Sequence, residues 1–375
     1  MSQEMSITIQ DHFAELTDPR RKESTYPLIN IVVMALCAVI GGADDFVAIA
    51  EFARTKEKWF AKFLDLSNGI PLHDRFNYIL ARIKPEEFEK CLLGWITALH
   101  DVTHGQVIPI DGKTLRRSYD KASSKAAIHM VSAWASANHI SLGQVVTDAK
   151  SNEITAIPKL LEMIEISGSL VTIDAMGCQT EIAAKIIAGG ADYCLAVKRN
   201  QPTLCDGIDA FFSPLFDNDF EGAKVRRHIN RETTHGREVE RHSFICPVPE
   251  HLPDRERWKN LRAIGAVVTI LHRNGKETSE IRYYILSRYL SGEEFATSVR
   301  THWAVENNLH WQLDVTFRED ESRIRKGHAD ANFSILRRTA LSLLKNESTA
   351  KVGIKNKRLT AGWNEDYLMK VVCGQ

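Results

Sequence analysis

The sequence predicts an α/β protein: a mixed sheet flanked by helices, with a β-rich insertion and an all-α N-terminal domain. Three observations carry that expectation. Residues 1 to about 100 are helically periodic almost throughout. From residue 105 short apolar runs of strand length alternate with helical runs. Between about 224 and 290 strand-like runs follow one another with no helix between them.

The first segment opens on PLINIVVMALCAVIGGA, residues 27 to 43, an apolar run at the low edge of membrane-spanning length. Asp44 and Asp45 follow at once and no second such run exists, so a buried helix is expected. DDFVAIAEFARTKEKWFAKFL, HDRFNYILARI and PEEFEKCLLGWITALH read as further helices, separated by Gly41-Gly42, Ser67-Asn68-Gly69 and Lys84-Pro85. Pro85 followed by Glu86 and Glu87 is a sound helix start, with acids at the positive end of the dipole. HDRFNYILARI suits the second helix of a helix-turn-helix, and Arg75, Asn77 and Arg82 can pair with base edges. A plain packing helix is the competing reading.

In the second segment, 105–345, QVIPI, AIHMVSAWASA and SLGQVVTDAK read as strands. ITAIPKLLEMIEI, SLVTID, QTEIAAKIIAGG and DYCLAVK then alternate helix and strand. KVRRHINRE, EVERHSFICPV, AIGAVVTILHR and EIRYYILS make up the insertion, and helices resume near Gly292. Residues 346–375 read as a polar cap or tail.

With 48 Lys plus Arg against 48 Asp plus Glu, the chain of 375 residues is net neutral, which argues against a passive polyanion binder but leaves local patches open. Seven scattered cysteines without a C-x-x-C pair exclude a disulfide framework or zinc ribbon and fit a reducing, cytoplasmic setting. The N-terminus lacks the basic start and apolar stretch of a signal peptide.

Three carboxylates stand out. Asp111 in QVIPIDGKT and Asp174 in SLVTIDAMG each follow a buried strand, where α/β sheets place their ligand sites, although an Asp-Gly turn explains Asp111 and a turn or cap role explains either alone. In THWAVENNLHWQLDVTFRED, read as a helix, Val299, Trp303, Glu306, Leu309 or His310, and Leu313 share a face, so Glu306 interrupts an apolar stripe and needs a cation or donors. Three converging carboxylates repel one another. A pair of divalent cations relieves that, and hard oxygen ligands suit Mg²⁺ or Mn²⁺. A zinc site from His302, Glu306 and His310, spaced four apart, is the lesser alternative.

IPIDGKTLRRS, VSAWASANHISLGQVVTDAKSNEITAIPKLLEMI, TIDAMGCQ, YCLAVKRNQPTL, HGREVER and RTHWAVENNLHWQLDVTFREDESRIRKGHADANFSILRR together resemble the insertion-sequence transposases of the DDE group. The branch is that of the H-repeat-associated proteins linked to Rhs elements, and the likeness spans nearly the whole chain. It implies an RNase H-like catalytic core and a metal-bound triad of Asp111, Asp174 and Glu306 holding two Mg²⁺ (or Mn²⁺) ions. It also implies double-stranded DNA as substrate, both element ends and target, and a homodimer within the DNA complex. Broader relatives carry a Tyr-Arg-Glu-Lys set around the glutamate; here those positions hold Val299, His302 and Leu313, so the DNA contacts of the broader group do not transfer. A DNA-binding remnant without catalysis and a metal-dependent nuclease without strand transfer remain open beside the transposase.

For DNA contact the candidates are Lys198 and Arg199 after a strand, the insertion cluster Arg226, Arg227, Arg231, Arg237 and Arg241, and the residues flanking the glutamate: His302, Trp303, His310 and Trp311. Residues 321–360, with ten Lys or Arg against three Asp or Glu, add Arg323, Arg325 and Lys326. The competing readings are core packing for the tryptophans and a solvated helical face for the basic run.

Overall fold

The computed structural model describes residues 9–20, 25–100, 105–114, 129–147, 153–234, 237–273 and 276–374. The chain forms two compact units. One comprises Met1–Thr103, Gly112–Lys150 and Glu306–Gln375; the other comprises His104–Asp111 and Ser151–Val305.

The second unit is built on a sheet. Its strands are β1 (Val107–Thr114, up to Asp111), β4 (Leu170–Ile173), β5 (Asp192–Val197), β6 (Arg226–Thr234), β7 (Arg237–Pro247), β8 (Ala263–Arg273) and β9 (Lys276–Leu286), in spatial order β1-β4-β5-β9-β8-β7-β6. β1, β4 and β5 are parallel and almost continuously apolar, as strands covered on both faces must be. Helices α6 (Glu153–Met163), α7 (Thr180–Ala188) and α8 (Pro202–Asp217) lie between these strands in sequence.

The strands expected as an insertion do form, but they do not interrupt the sheet. β9 pairs antiparallel with β5, Cys194↔Leu286 through Val197↔Tyr283, so β6–β9 extend it. The physical reason is edge satisfaction: without β9 the second edge of buried β5 would leave its backbone groups unpaired. Helix α9 (Gly292–Val305) packs against β4, β6 and β7. Its start is fixed by a capping box, in which the Ser291 N–H donates to Glu294 Oε2 (2.7 Å) and the Glu294 N–H donates to Ser291 Oγ (3.1 Å). Phe295 then sits fully buried in a cluster with Ile245, Ala263, Tyr284 and Leu286.

The first unit is mostly helical. It contains α1 (Leu28–Ile40), α2 (Phe46–Thr55), α3 (Glu57–Phe60), α4 (His73–Leu80), α5 (Pro85–Leu99), α10 (Ala329–Asn346), α11 (Ile354–Trp363) and α12 (Glu365–Cys373), with the antiparallel pair β2 (His129–Ala135) and β3 (Ile140–Thr147). α1 is the expected buried helix: every residue from Asn30 to Ile40 is inaccessible, and no described helix is long and apolar enough to cross a membrane. α10 is the axis of this unit, buried from Ala329 through Leu344 and packed by α1, α5, α11 and β3. Asn332 ties it to the N-terminal helices by donating to the Leu80 and Ile83 carbonyls at 2.7 and 2.9 Å.

Two expectations need correction here. Residues 346–375 are not a polar tail, because α11 and α12 bury Lys357, Arg358, Leu368, Val371 and Val372. The basic run 321–360 is neither a phosphate-facing nor a solvated surface throughout. Arg337, Arg338, Lys357 and Arg358 are all buried and meet internal acids and carbonyls, among them Asp44 and Glu347.

Gly265 on β8 tests the seating of α9. A Cβ there would stand 2.5 Å from Cζ of the buried Phe295 ring. Gly265→Ala is expected to cost about 1–3 kcal/mol through overpacking, read as a lower urea midpoint with an unchanged m-value.

Candidate metal and nucleic-acid site

β1 and β4 run parallel with Ile110 opposite Ile173, so Asp111 and Asp174, each the next residue, stand side by side where the pairing of the two strands ends. Adjacent strands are roughly 5 Å apart. Both aspartates are half-buried. The carboxyl of Asp174 is pushed above the usual carboxylate range by burial first, then by the charges of Glu153 and Asp111, against the Gly177 N–H and His302, which pull it down.

Asp174 is also a turn residue, so both readings of it hold. Its Oδ1 accepts the Met176 and Gly177 N–H groups at 3.0 and 3.4 Å. Gly177 has no room for a side chain: a Cβ would lie 2.3 Å from Ile173 Cγ2 and 2.8 Å from Ile157 Cδ1. The loop is braced from outside, since Asn200 Nδ2 donates to the Ala175 carbonyl and Gln201 Nε2 to that of Cys178 (3.0 Å). Thus Asn200 and Gln201, rather than Lys198 and Arg199, are the members of KRNQ that serve the Asp174 turn. Lys198 is exposed, and exposed Arg199 pairs with Asp206.

His302 reaches this region from α9. It is 8% exposed, its Nδ1 shares a 3.1 Å hydrogen bond with Thr172 Oγ1, and burial pulls its pKa down against the opposing pull of Asp111 and Asp174. His302 is thus held mostly within the packing rather than presented at the surface. Trp303 belongs to the packing: it lies against the Phe295 cluster with the Arg282 guanidinium 4.4 Å over its ring. His310 is also buried, whereas Trp311 is half exposed.

Glu306 is the first residue of the other unit, and it is exposed. The buried stripe is Val299, His302, Val305, Leu309 and Leu313, not the set containing Trp303 and Glu306. The α-helix ends at Val305, and π-helical turns over Glu306–His310 and Gln312–Thr316 replace it. Such wide turns recur at functional sites. Among the described residues no three His, Cys, Asp or Glu side chains are grouped to hold a metal ion, and this includes the His302–Glu306–His310 set.

Several arginines of β6 and β7 pair with nearby acids. Arg231 pairs with Glu240 (2.9 Å), Arg241 and Arg300 with Glu232 (3.1 Å each), and Arg227 with Asp219 (2.8 Å). The Arg237 side chain lies outside the described residues. Arg323 and Lys326 are exposed, and Arg325 is half-buried.

Sequence reasoning missed Lys113 and Glu319. Lys113 of IDGKT extends from β1 into the first unit, where its buried Nζ meets Asp314 and Glu319, the latter at 2.8 Å. Glu319 is fully enclosed. Burial pushes its pKa up, but Lys113, Arg338 and Arg337 outweigh it and bring it to about 2; Ser334 Oγ donates to the other oxygen at 2.7 Å. The only signal was a lysine and a glutamate, each near a strand or helix end in an apolar setting.

The comparisons with known proteins agree with one another. Residues 103–343 match the family model described as "Transposase DDE domain", and residues 10–96 match the "DDE_Tnp_1-associated" model. The chain is 39% identical to "H repeat-associated putative transposase YhhI" of Escherichia coli K12, with 98% of each chain covered. It is 40% identical to "Putative transposase YncI" of Escherichia coli O157:H7, covering 98% of this chain and 95% of that one. An uncharacterized protein from the dhlA 3′ region of Xanthobacter autotrophicus is 38% identical over 73% of this chain and 92% of its own.

Glu319 gives a test with a definite sign. Its folded pKa of about 2 lies below its ordinary value of 4.5, so the stability it contributes is full above pH 4.5 and is lost as pH falls through 2. Glu319→Gln is expected to cost about 3–5 kcal/mol at pH 7, because Lys113 keeps only Asp314 and the buried Arg337 and Arg338 lose their main countercharge. The gap from wild type in urea midpoint should narrow between pH 4.5 and 2.

Proposed function

The chain belongs to the transposase DDE-domain family, and on that premise we propose that it cuts DNA at the ends of an insertion-sequence-like element and joins the freed 3′ hydroxyls to target DNA. In this reading Asp111, Asp174 and Glu306 are the catalytic carboxylates, in a core of RNase H-like type. The observation that carries it is the register that puts Asp111 and Asp174 next to each other, just past the last pair of two parallel strands.

The donor set fits a divalent cation. Burial, Glu153 and the neighbouring Asp111 raise the cost of ionising Asp174, and hard oxygens suit Mg²⁺ or Mn²⁺. When bound, a pair of such ions lowers the cost of activating water and of charge on a departing 3′ oxygen. The protein supplies orientation. The turn at Met176 and Gly177 holds one oxygen of Asp174, and Asn200 and Gln201 hold the turn. Glu306 is exposed at the head of a π-helical turn, which suits a ligand that must meet substrate and cation from solvent.

Sequence preference needs side chains that reach base edges, because carboxylates and cations meet only phosphates. For this we propose the outer face of α4. Phe76, Ile79 and Leu80 pack inward, while Arg75, Tyr78 and Arg82 are exposed at helical spacing, both guanidinium groups lying over the Tyr78 ring at 5.7 and 3.8 Å. Asn77 is half-buried beside them, and its Oδ1 has no hydrogen-bond partner among the described residues. Removing residues 1–100 would strip α10 of its packing, so point substitutions are the informative change.

With labelled element ends and Mg²⁺, Asp174→Asn should lower cleavage about a thousandfold, some 4 kcal/mol of transition-state stabilisation, while a gel shift on the same DNA stays within a few-fold. Cleavage at the wild-type rate in that variant would sink the proposed chemistry. Arg75→Ala with Arg82→Ala should cut the preference for element ends over random duplex by about 10–100-fold, at roughly 1–3 kcal/mol per lost base contact. Salt-sensitive nonspecific binding should remain.

A further inference from the structure

The hydrogen bond between Thr172 and His302 is placed on the row that ends in the aspartates. Thr172 is the penultimate residue of β4 and stands two residues before Asp174, which follows the strand at once. Pro109, which pairs with Thr172, stands two residues before Asp111, so the neighbouring strand repeats the arrangement. α9 packs against β4, and His302 is the residue that bonds to it there. The imidazole therefore lies about one two-residue strand repeat, on the order of 7 Å, from the carboxylate row. The charges of both aspartates are felt at His302.

Packing alone does not explain an imidazole in this position. Its neighbours on α9 are Val299 and Val305, its ring meets Trp303 edge-on at 5.4 Å, and a phenylalanine would fill the same space. What the imidazole adds is a second polar atom. With Nδ1 occupied by the Thr172 hydroxyl, Nε2 is the ring atom left to serve as a donor.

We propose that His302, oriented by Thr172, is a positioning residue for the Asp111–Asp174 pair: its Nε2–H steadies the carboxylate row through one bridging water and so sets how tightly a divalent cation is held there. The inference rests on the reading of the two aspartates as cation ligands, and goes beyond it by adding the group that orients them. Partners of this outer kind are typically worth about 10–100-fold in metal affinity.

The test is Mn²⁺ binding by the full-length protein without DNA, followed by the paramagnetic resonance of free Mn²⁺, with thermal midpoints measured in chelator. His302→Phe should weaken Mn²⁺ binding about 10–100-fold. His302→Gln, whose amide N–H extends toward the Nε2 position, should recover most of the loss. Thr172→Val, which keeps the shape and removes only the hydroxyl, should weaken binding several-fold and guards against a misfolded His302 variant. Asp174→Asn separates the two levels of the argument. If wild type binds Mn²⁺, Asp174→Asn does not, and His302→Phe binds as wild type does, the positioning role is overturned and the ligand assignment stands. A loss in His302→Phe that glutamine does not recover also overturns it, because the ring then matters only as packing. If wild type shows no Mn²⁺ binding that depends on Asp174, both fall together.

Discussion

The parallel register of β1 and β4 is the constraint on which the candidate site depends. Ile110 opposite Ile173 is the last pair before the two aspartates. A slip of one residue would turn one aspartate to the opposite face of the sheet. The register is held from both sides: the Gln106 carbonyl accepts the Leu170 N–H at 3.0 Å where the strands begin, and the close fit of Gly177 against Ile173 and Ile157 fixes the chain where β4 ends. Two like charges are thereby forced together at a sheet edge, a placement that is costly in itself and makes sense as half of a cation site.

How much of this could be read from sequence depended on whether the controlling contact was local. Asp111 and Asp174 were legible because an apolar run, an acid and a nearby glycine are local features. The strands of residues 224–290 were legible as strands for the same reason. Their attachment was not, because the pairing of β9 with β5 joins residues some ninety positions apart and leaves no local trace. The phase of α9 was misread because both possible stripes contain apolar residues. Trp303 supports one and Val305 the other, and the choice is made by packing on β4 and β7 and by the π-helical turns that follow. The basic run of residues 321–360 misled because composition counts charge without burial. Arg337 and Arg338 are among the largest fully buried side chains of the protein.

That burial bears on how a net-neutral chain can meet a polyanion. Much of its positive charge is committed internally: Arg358 bonds to the Asp44 carboxylate and the Val39 carbonyl, Lys357 to Glu347, Lys113 to Glu319 and Asp314, and several arginines of β6 and β7 to nearby acids. Buried pairs of this kind contribute little net stability against an apolar alternative, but they are severe when broken. They act as selectors of one packing arrangement, in which α10 can be enclosed along nearly its whole length.

The cost of that commitment falls on DNA binding. With no net positive charge, affinity through counterion release rests on local patches, and contacts to base edges are the ones that carry information. A face such as Arg75, Tyr78 and Arg82 meets that requirement, because a guanidinium stacked on an aromatic ring is pre-oriented and loses less freedom when it meets a base edge. The same economy describes the Asp174 turn, where two backbone N–H groups hold one carboxylate oxygen and two side-chain amides, those of Asn200 and Gln201, brace the turn.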